Sequence, residues 1–225
     1  MKDKVLAHII AIAIIIFSFV SVIDICAFNE AFYAYEYEKN DVADIIGIDD
    51  GSLDEATDVL LGYIKGRYET LDLEVKIDGD QVEMFNAKEK EHMVDVRDLY
   101  TAVSTVHYIA LAVFLISIIY LSIKYKGKIF KLLANAYKRV LIVFASIVAA
   151  LAVFALSDFY LFWTTFHRIF FSNDLWLLDP LTDRLIMMVP ETFFFDLVMM
   201  IIVVFLTILV IVYLAMAHFK RKEMI

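Results

Sequence analysis

The sequence predicts an all-α membrane protein with four transmembrane helices and a small extracytoplasmic α+β domain between the first and second spans. Two observations support this fold class. Hydrophobic residues make up 62% of the 225 residues, and the mean hydropathy is +0.74, whereas about 45–50% apolar residues is usual for a globular domain. Four apolar stretches are also long enough to cross a hydrocarbon core of about 30 Å, which takes roughly 20 residues.

The four predicted spans are residues 5–28, 106–123, 140–163 and 197–219. Lysine and arginine flank them at the N-terminus, at residues 220–222 and in the loop 124–139, which contains no acid. Because short basic loops stay in the cytoplasm, both termini and this loop are expected there.

Residues 29–105 and 164–196 are then extracytoplasmic. Most of the acids lie in the first of these segments, and the net charge is −9. Membrane lipid is therefore an expected partner of this chain, and nucleic acid is not.

The outer domain between the first two spans contains helix and hairpin signals. Ser52 and Glu55 form a capping-box pattern that predicts a helix start at Ser52. Alternating residues over 71–77 and 81–85, joined by a turn at 78–80, predict a β-hairpin. Asn86 and Glu89 form a second capping box, and the helix after it can continue directly into the second span.

Two histidines are predicted to lie at the outer membrane face. His92 descends toward the second span, with Asp95 three residues on and hence on the same helix face. His167 lies in an aromatic segment, 166–195, that contains both prolines and is predicted to act as a lid over the site. Histidines suit general acid–base chemistry because their ordinary pKa is about 6.5. Asp158, near the outer end of the third span, is a candidate supporting group.

Other site types receive little support from the sequence. No serine elbow and no zinc-protease helix is present. Two histidines and an aspartate lack a third well-spaced strong ligand, so no metal site is predicted. The remaining histidines, His8, His107 and His218, are expected at helix ends.

The two outer segments resemble the lipoprotein intramolecular transacylase family of four-span bacterial membrane proteins. The motifs that carry the resemblance are HMVDVR from His92, FHRIFF from Phe166, WLLDPLTDRLI from Trp176 and PETFF from Pro190. The resemblance also covers the four-span topology of the whole chain, and it implies a location in the bacterial cytoplasmic membrane with the site at the outer leaflet.

The resemblance implies an activity. Members act on lipoproteins whose N-terminal cysteine carries S-diacylglyceryl and a free α-amine, and they move the sn-2 acyl chain to that amine without a cofactor. His92 and His167 match the catalytic histidines. We expect His92 as base, oriented by Asp95, and His167 as acid or oxyanion donor, although the reverse assignment is open. The expected substrate contacts are Arg97, Arg168, Trp176, Asp179 and Asp183.

Two other function classes stay open on the sequence alone. The first is a non-catalytic membrane scaffold or sensor whose outer domain binds a protein partner. The second is a metal-dependent membrane hydrolase. The lipid modification of lipoprotein N-termini distinguishes a transacylase from a scaffold, and a chelator distinguishes the metalloenzyme.

Overall fold

The structure, a computed structural model, describes residues 2–77, 79–126 and 128–223. The elements follow in the order α1 (Lys2–Ala27), α2 (Glu30–Lys39), α3 (Val42–Ile46), α4 (Asp50–Ile64), β1 (Glu74–Ile77), β2 (Asp80–Glu83), α5 (Ala87–Lys124), α6 (Phe130–Ser157), α7 (Phe159–Phe170), α8 (Arg184–Met188) and α9 (Glu191–Glu223). Among the described residues, α1, α5, α6 and α9 are long and apolar enough to cross a membrane. The predicted fold class is therefore confirmed.

The chain divides into two compact units. The first comprises Met1–Ile25, Val103–Ser157 and Val198–Ile225, and the second comprises Cys26–Ala102 and Asp158–Leu197. Helices α5 and α9 each contribute to both units. The first unit holds the apolar helical segments, and the second holds the short helices and the hairpin.

The first unit is a helical bundle with apolar helix contacts. One buried cluster joins α1, α5, α6 and the residue before α6, and consists of Ala7, Ile10, Leu121, Ile129, Leu133 and Ala136. The fully buried Tyr137 of α6 donates its hydroxyl to the Leu209 carbonyl of α9 at 3.1 Å. Apolar side chains on the outside of the bundle, such as Ile116 and Ile123, are mostly exposed. An exposed apolar helix surface of this kind suits hydrocarbon and not water.

The second unit contains the α+β part of the fold. Strands β1 and β2 pair antiparallel, with Val75 opposite Val82. The predicted hairpin is confirmed, and its turn residue Asp78 lies outside the described residues. Helix α4 begins at Asp50, two residues before the predicted start at Ser52, because Asp49 accepts from the Ser52 backbone N–H and acts as the cap. Helices α2 and α3 occupy a segment for which no helix was predicted.

Helix α5 begins at the predicted capping box. The Asn86 backbone N–H donates to Glu89 Oε2 at 2.6 Å, and the Glu89 backbone N–H donates to Asn86 Oδ1 at 3.0 Å. The helix then runs without a break to Lys124, so the predicted continuation into the second span is confirmed.

The third apolar stretch differs from its prediction. The prediction of a single helix over 140–163 is wrong, because α6 ends at Ser157 and α7 begins at Phe159. Asp158 between them adopts an extended backbone, and its side chain accepts from the Leu161 N–H at 2.9 Å as the N-cap of α7. A short polar side chain competes for local backbone donors, which ends one helix and starts the next.

The loop 124–139 is also shorter than predicted. Helix α5 ends at Lys124 and helix α6 already begins at Phe130, so the connection between them is confined to 125–129. The Glu223 carboxylate accepts from the backbone N–H groups of Phe130 and Lys131 at 2.8 and 2.9 Å. These N–H groups at a helix start have no partner within their own helix, so a carboxylate stabilises them.

Candidate active site

His92 lies in the second turn of α5 and is buried, with 6% of its surface exposed. The capping box at Asn86 fixes where the helix starts, and therefore fixes the direction in which His92 points. Its ring lies edge-to-face against Phe171 at 5.3 Å between centroids. Its Nδ1 atom has no hydrogen-bond partner within the described part of the chain.

His167 lies in the last turn of α7 and is likewise buried. Its Nδ1 is 2.8 Å from the carbonyl oxygen of Trp163, one turn earlier. Since a carbonyl can only accept, Nδ1 carries the proton in this contact, and neutral His167 keeps a lone pair on Nε2. The Trp176 indole stacks on the ring at 4.9 Å, and the Trp163 indole lies edge-to-face at 4.8 Å.

The structure brings the two histidines together. Their ring centroids are 6.1 Å apart with an interplanar angle of 35°, and the Phe171 ring lies against both. A hydrogen bond joins heavy atoms about 2.7–3.2 Å apart. A single reacting group between the rings can therefore contact both imidazoles.

Burial keeps both imidazoles neutral. Desolvation, with a smaller effect from His167, lowers the pKa of His92 to about 4, although the Asp95 charge opposes the shift. Desolvation also lowers the pKa of His167, and its bond to the Trp163 carbonyl partly offsets this. A neutral imidazole can accept a proton at one nitrogen and donate one at the other, so the pair can serve as base and donor near pH 7.

A small cavity opens at Phe171, the ring that lies against both histidines. It has a volume of about 290 Å³ and is lined by Asp95, Asp98, Leu99, Ala102, Phe170, Phe171, Ser172 and Asn173. The lining is half acidic and polar, half apolar. It includes Phe171, the ring that touches both histidines, so the cavity adjoins the pair.

Asp95 has a different partner from the one predicted. Its Oδ2 accepts from the Asn173 side-chain amide at 2.8 Å, and no hydrogen bond joins it to His92 within the described residues. The two side chains share a helix face, as the spacing predicts, and Asp95 acts on His92 through its charge. Its orienting role remains a prediction. Asp158, the second predicted supporting group, is exposed and caps α7.

The predicted substrate contacts are distributed unevenly around the pair. Trp176 covers His167, and its indole N–H donates to the Asn173 carbonyl at 2.9 Å. The Arg97 guanidinium lies 5.0 Å from the centre of the Tyr63 ring. Arg168 follows His167 and is exposed, as is Asp179, whose Oδ1 accepts from the Leu181 N–H. Their contacts with substrate remain predictions.

Asp183 is buried and already has several protein donors. It accepts from Asn86, Lys88, Thr182 and the Asp179 backbone. Burial alone would raise the pKa of Asp183, but these donors together lower it to about 2. Its predicted role in substrate binding remains a prediction.

Sequence reasoning missed three contributors to the site. Trp163 supplies the carbonyl that orients His167, Phe171 contacts both imidazoles, and Glu89 is fully buried one turn before His92. The capping-box pattern identified Glu89, but only as a helix start. No group of three or more His, Cys, Asp or Glu side chains able to hold a metal occurs in the described ranges.

The fold and the site define the class of protein. It is a membrane-integral protein with a buried pair of neutral histidines in the second of its two units. The family described as lipoprotein intramolecular transacylase Lit matches residues 8–194. The chain therefore belongs to the lipoprotein intramolecular transacylase Lit family. It is a membrane enzyme of the transacylase class, and the family acts on lipoproteins.

Solved structures support the fold independently. The membrane-integral lipoprotein intramolecular transacylase Lit from Bacillus cereus superposes with a TM-score of 0.77 at 22% identity, covering 98% of each chain. A variant of that protein with one histidine replaced by alanine gives 0.75 at 21% identity, covering 100% of this chain and 96% of the other. No curated protein matches the chain by sequence.

Proposed function

We propose that this chain moves the sn-2 acyl chain of a diacylglyceryl-modified lipoprotein to the α-amine of the same N-terminal cysteine. The product is an N-acyl, S-monoacylglyceryl lipoprotein, the lyso form. Family membership supports the lipoprotein substrate. The observation that carries the chemistry is the His92–His167 ring pair at 6.1 Å.

The reaction needs one base and one acid. The neutral amine attacks the ester carbonyl, a C–N bond forms, and the nitrogen loses its proton to a base. The tetrahedral oxyanion needs a donor, after which the C–O bond breaks and the glycerol oxygen takes up a proton. Amine and ester belong to one molecule, so holding them together removes much of the entropic barrier. Atoms balance without a cofactor, because the product is an isomer of the substrate.

The tautomers favour His167 as the base. Its Nδ1–H is committed to the Trp163 carbonyl, so the Nε2 lone pair is oriented and available. His92 has no acceptor for a proton on Nδ1 among the described residues, which favours the Nε2–H form and makes it the donor. This assignment is the reverse of the one first expected, which had Asp95 orienting His92.

The cavity beside the pair suits the amine end of the substrate. A free α-amine has a pKa of about 7.7–8.0 and is mostly cationic at neutral pH. Asp95 and Asp98 line the cavity, and their negative charge attracts an ammonium group. Loss of one ammonium proton to bulk water gives the neutral nucleophile, so His167 stays free to take the proton that the nitrogen releases when the C–N bond forms.

The proposed orientation places both termini in the cytoplasm and the histidine pair at the outer leaflet of the bacterial membrane. The basic residues within 124–139, in the α5–α6 connection and the start of α6, and those at 220–222 support it. In a Cys26→Ser background, a cysteine replacing Lys128 should resist an impermeant thiol reagent in intact cells. A cysteine replacing Ser52 should react. Labelling at position 128 and not at position 52 would show the opposite orientation.

The activity is tested with purified protein and a synthetic S-diacylglyceryl lipopeptide that carries a deuterated sn-2 chain. We expect a product of unchanged mass whose fragments place the deuterated chain on nitrogen. An N-acetylated lipopeptide, which lacks the nucleophile, should not react. Mixing labelled and unlabelled lipopeptides that differ in peptide mass should give no crossover, because the transfer is intramolecular.

The same assay separates the alternative functions. Release of free fatty acid would indicate a hydrolase, and loss of activity in chelator that zinc restores would indicate a metalloenzyme. An unchanged lipopeptide would favour a non-catalytic scaffold. Each of these results would overturn the proposed transfer.

A further inference from the structure

We propose that Glu89 and Asp183 are positioning residues that hold His92 and His167 at reacting distance. Together with Asn86 and Lys88 they form one hydrogen-bonded set, called here the Glu89–Asp183 network. It joins the start of α5 to the segment 177–185. The inference rests on the proposed function, since it concerns the geometry of that histidine pair.

Glu89 fixes two main-chain segments at once. Its Oε2 accepts from the Asn86 N–H at 2.6 Å, and its Oε1 accepts from the N–H of Leu185, at the start of α8. No part of Glu89 is exposed. An ordinary capping-box glutamate needs only the first of these bonds, so the second ties a distant segment to α5.

Asp183 makes the complementary connection from the other side. Its Oδ1 accepts from the Asn86 side-chain amide at 2.8 Å and from Thr182 at 3.0 Å. Its Oδ2 accepts from the Asp179 N–H at 2.8 Å and from Lys88 at 3.3 Å. Asn86 therefore contacts both carboxylates, directly linking Glu89 and Asp183 into one network.

The network leads to both catalytic rings. His92 lies one turn after Glu89 on the same helix. Lys88 donates to the Leu177 carbonyl at 2.5 Å, and Leu177 directly follows Trp176, whose indole stacks on His167 at 4.9 Å. Displacing the segment 177–185 from α5 therefore moves Trp176 and loosens His167 relative to His92.

Burial favours the docked arrangement. Leaving a buried carboxylate without its donors is strongly destabilising. Desolvation, and further the Asp183 charge, raise the pKa of Glu89, whereas its backbone donors act in the opposite direction. The charges are held only while the segment 177–185 stays docked on α5, so the docked state is strongly preferred over a partly detached one.

The variants that test the network are Asp183→Asn, Glu89→Gln and Lys88→Met. Each amide variant is nearly isosteric but turns an NH₂ group toward a donor, so bonds are lost without a cavity. Lys88 is partly exposed, and Asp183 keeps three other donors, so Lys88→Met removes the Leu177 tether and one Asp183 contact with less risk to folding than the amide variants. The matched controls are Glu91→Gln, at an exposed position, and Lys90→Met, whose lysine binds Asp72 and Glu83 of the hairpin region.

Activity is measured on the deuterated lipopeptide, per folded molecule and well below the melting temperature. Misplacement of catalytic groups by about 1 Å costs on the order of 10²-fold in rate. We expect kcat to fall roughly 10–100-fold in Asp183→Asn and Glu89→Gln, and less in Lys88→Met, with KM little changed. The two controls should keep the wild-type kcat.

A spectroscopic signal separates positioning from general destabilisation. Protein labelled with 5-fluorotryptophan gives a resonance for Trp176, assigned with a Trp176→Phe variant. Because Trp176 stacks on His167, its shift should follow the protonation of that histidine. The coupling should weaken in the three network variants and persist in both controls.

The outcomes are distinct. A wild-type protein that makes no N-acyl product would overturn the proposed function itself. If the wild type is active, two results would overturn the positioning role. The network variants would keep full kcat, or they would lose it only in proportion to the unfolded fraction while the Trp176 fluorine shift still follows the protonation of His167. Should an amide variant fail to fold, Lys88→Met decides the question by the same two measurements.

Discussion

Two histidines on α5, fifteen residues apart, have opposite surroundings. His107 is 3.0 Å through Nε2 from Ser21 Oγ and stacks on Phe17 at 4.5 Å. Because Ser21 gives its proton to the Phe17 carbonyl at 2.8 Å, His107 is the donor in this pair. Within the described residues, Nδ1 of His92 has no hydrogen-bond partner, and its ring faces a second imidazole. His107 therefore makes a packing contact between α1 and α5, whereas His92 keeps a ring nitrogen that the proposed reaction can use.

Removing either imidazole of the His92–His167 pair should have the largest effect on activity. We expect His92→Ala and His167→Ala each to lower kcat by about 10²–10⁴-fold, the usual contribution of a general acid or base. The measurement is the rate of acyl transfer to nitrogen on the deuterated lipopeptide, with folding checked by thermal melting in detergent.

The double variant and a matched control sharpen the result. In the proposed mechanism both groups act on one step, so His92→Ala with His167→Ala should be little slower than either single change. His107→Gln, which keeps a donor for Ser21, should retain nearly full activity. Full activity in His92→Ala or His167→Ala would contradict the proposed pair. A large loss of activity in His107→Gln would show that His107 does not differ from the pair in its effect on activity.

The pH dependence should show the depressed pKa values of the pair. Burial lowers the pKa of both imidazoles, so both are neutral at pH 7. The substrate amine, whose pKa is about 7.7–8.0, already lowers the transfer rate below that pH. We expect a second, steeper fall only below pH 6.5, as His167 becomes protonated and ceases to act as a base. A second limb at or above 6.5 would contradict a buried neutral pair.

Stability should follow the same titration. The folded pKa of His92 is about 4, below the unfolded value of 6.5, so its stabilising contribution is complete above pH 6.5 and is lost as the pH falls toward 4. The full contribution is about 3 kcal/mol. Between pH 7 and 4, thermal melts should show wild type losing about this much stability relative to His92→Phe, which has no titrating group at position 92. Parallel curves would show that His92 is not buried neutral.

The smallest expected effect concerns the His107 contact. Hydrogen bonds between membrane helices contribute about 0.6–2 kcal/mol. Ser21→Ala should therefore lower stability by about this amount, measured by unfolding in mixed micelles, with little change in kcat. Ser146→Ala is a suitable control, because the Ser146 hydroxyl donates within its own helix, to the Ile142 carbonyl at 2.8 Å. A loss of kcat in Ser21→Ala comparable to that of His167→Ala would assign this contact to the catalytic site.

The sequence was most informative where the signal is local. Hydropathy identified the four spanning helices, and the Asn86–Glu89 pattern located the start of α5. The break at Asp158 was missed because apolar residues continue on both sides of it. Hydropathy reports how a segment partitions between water and lipid, and it is blind to one carboxylate capping a new helix.

The site was less accessible because its contacts join distant parts of the chain. His92 and His167 were singled out by residue type and resemblance, and their 6.1 Å separation depends on packing between α5 and α7. The three-residue spacing placed Asp95 beside His92, yet Asn173, 78 positions away, supplies its hydrogen bond. Glu89 likewise looked like a cap alone, because Leu185 and Asp183 lie about a hundred residues further along.

The second unit is assembled from Cys26–Ala102 and Asp158–Leu197. The ribosome therefore makes one part of the site well before the other. His167 leaves the ribosome 75 residues after His92, a delay of about 4–15 s at 5–20 residues per second. Until then Glu89 has its capping bond but no Leu185 N–H, and His92 has no second imidazole. A nascent chain with two spanning helices therefore lacks half of the proposed histidine pair, which is complete only once the third spanning helix and the segment after it have been made.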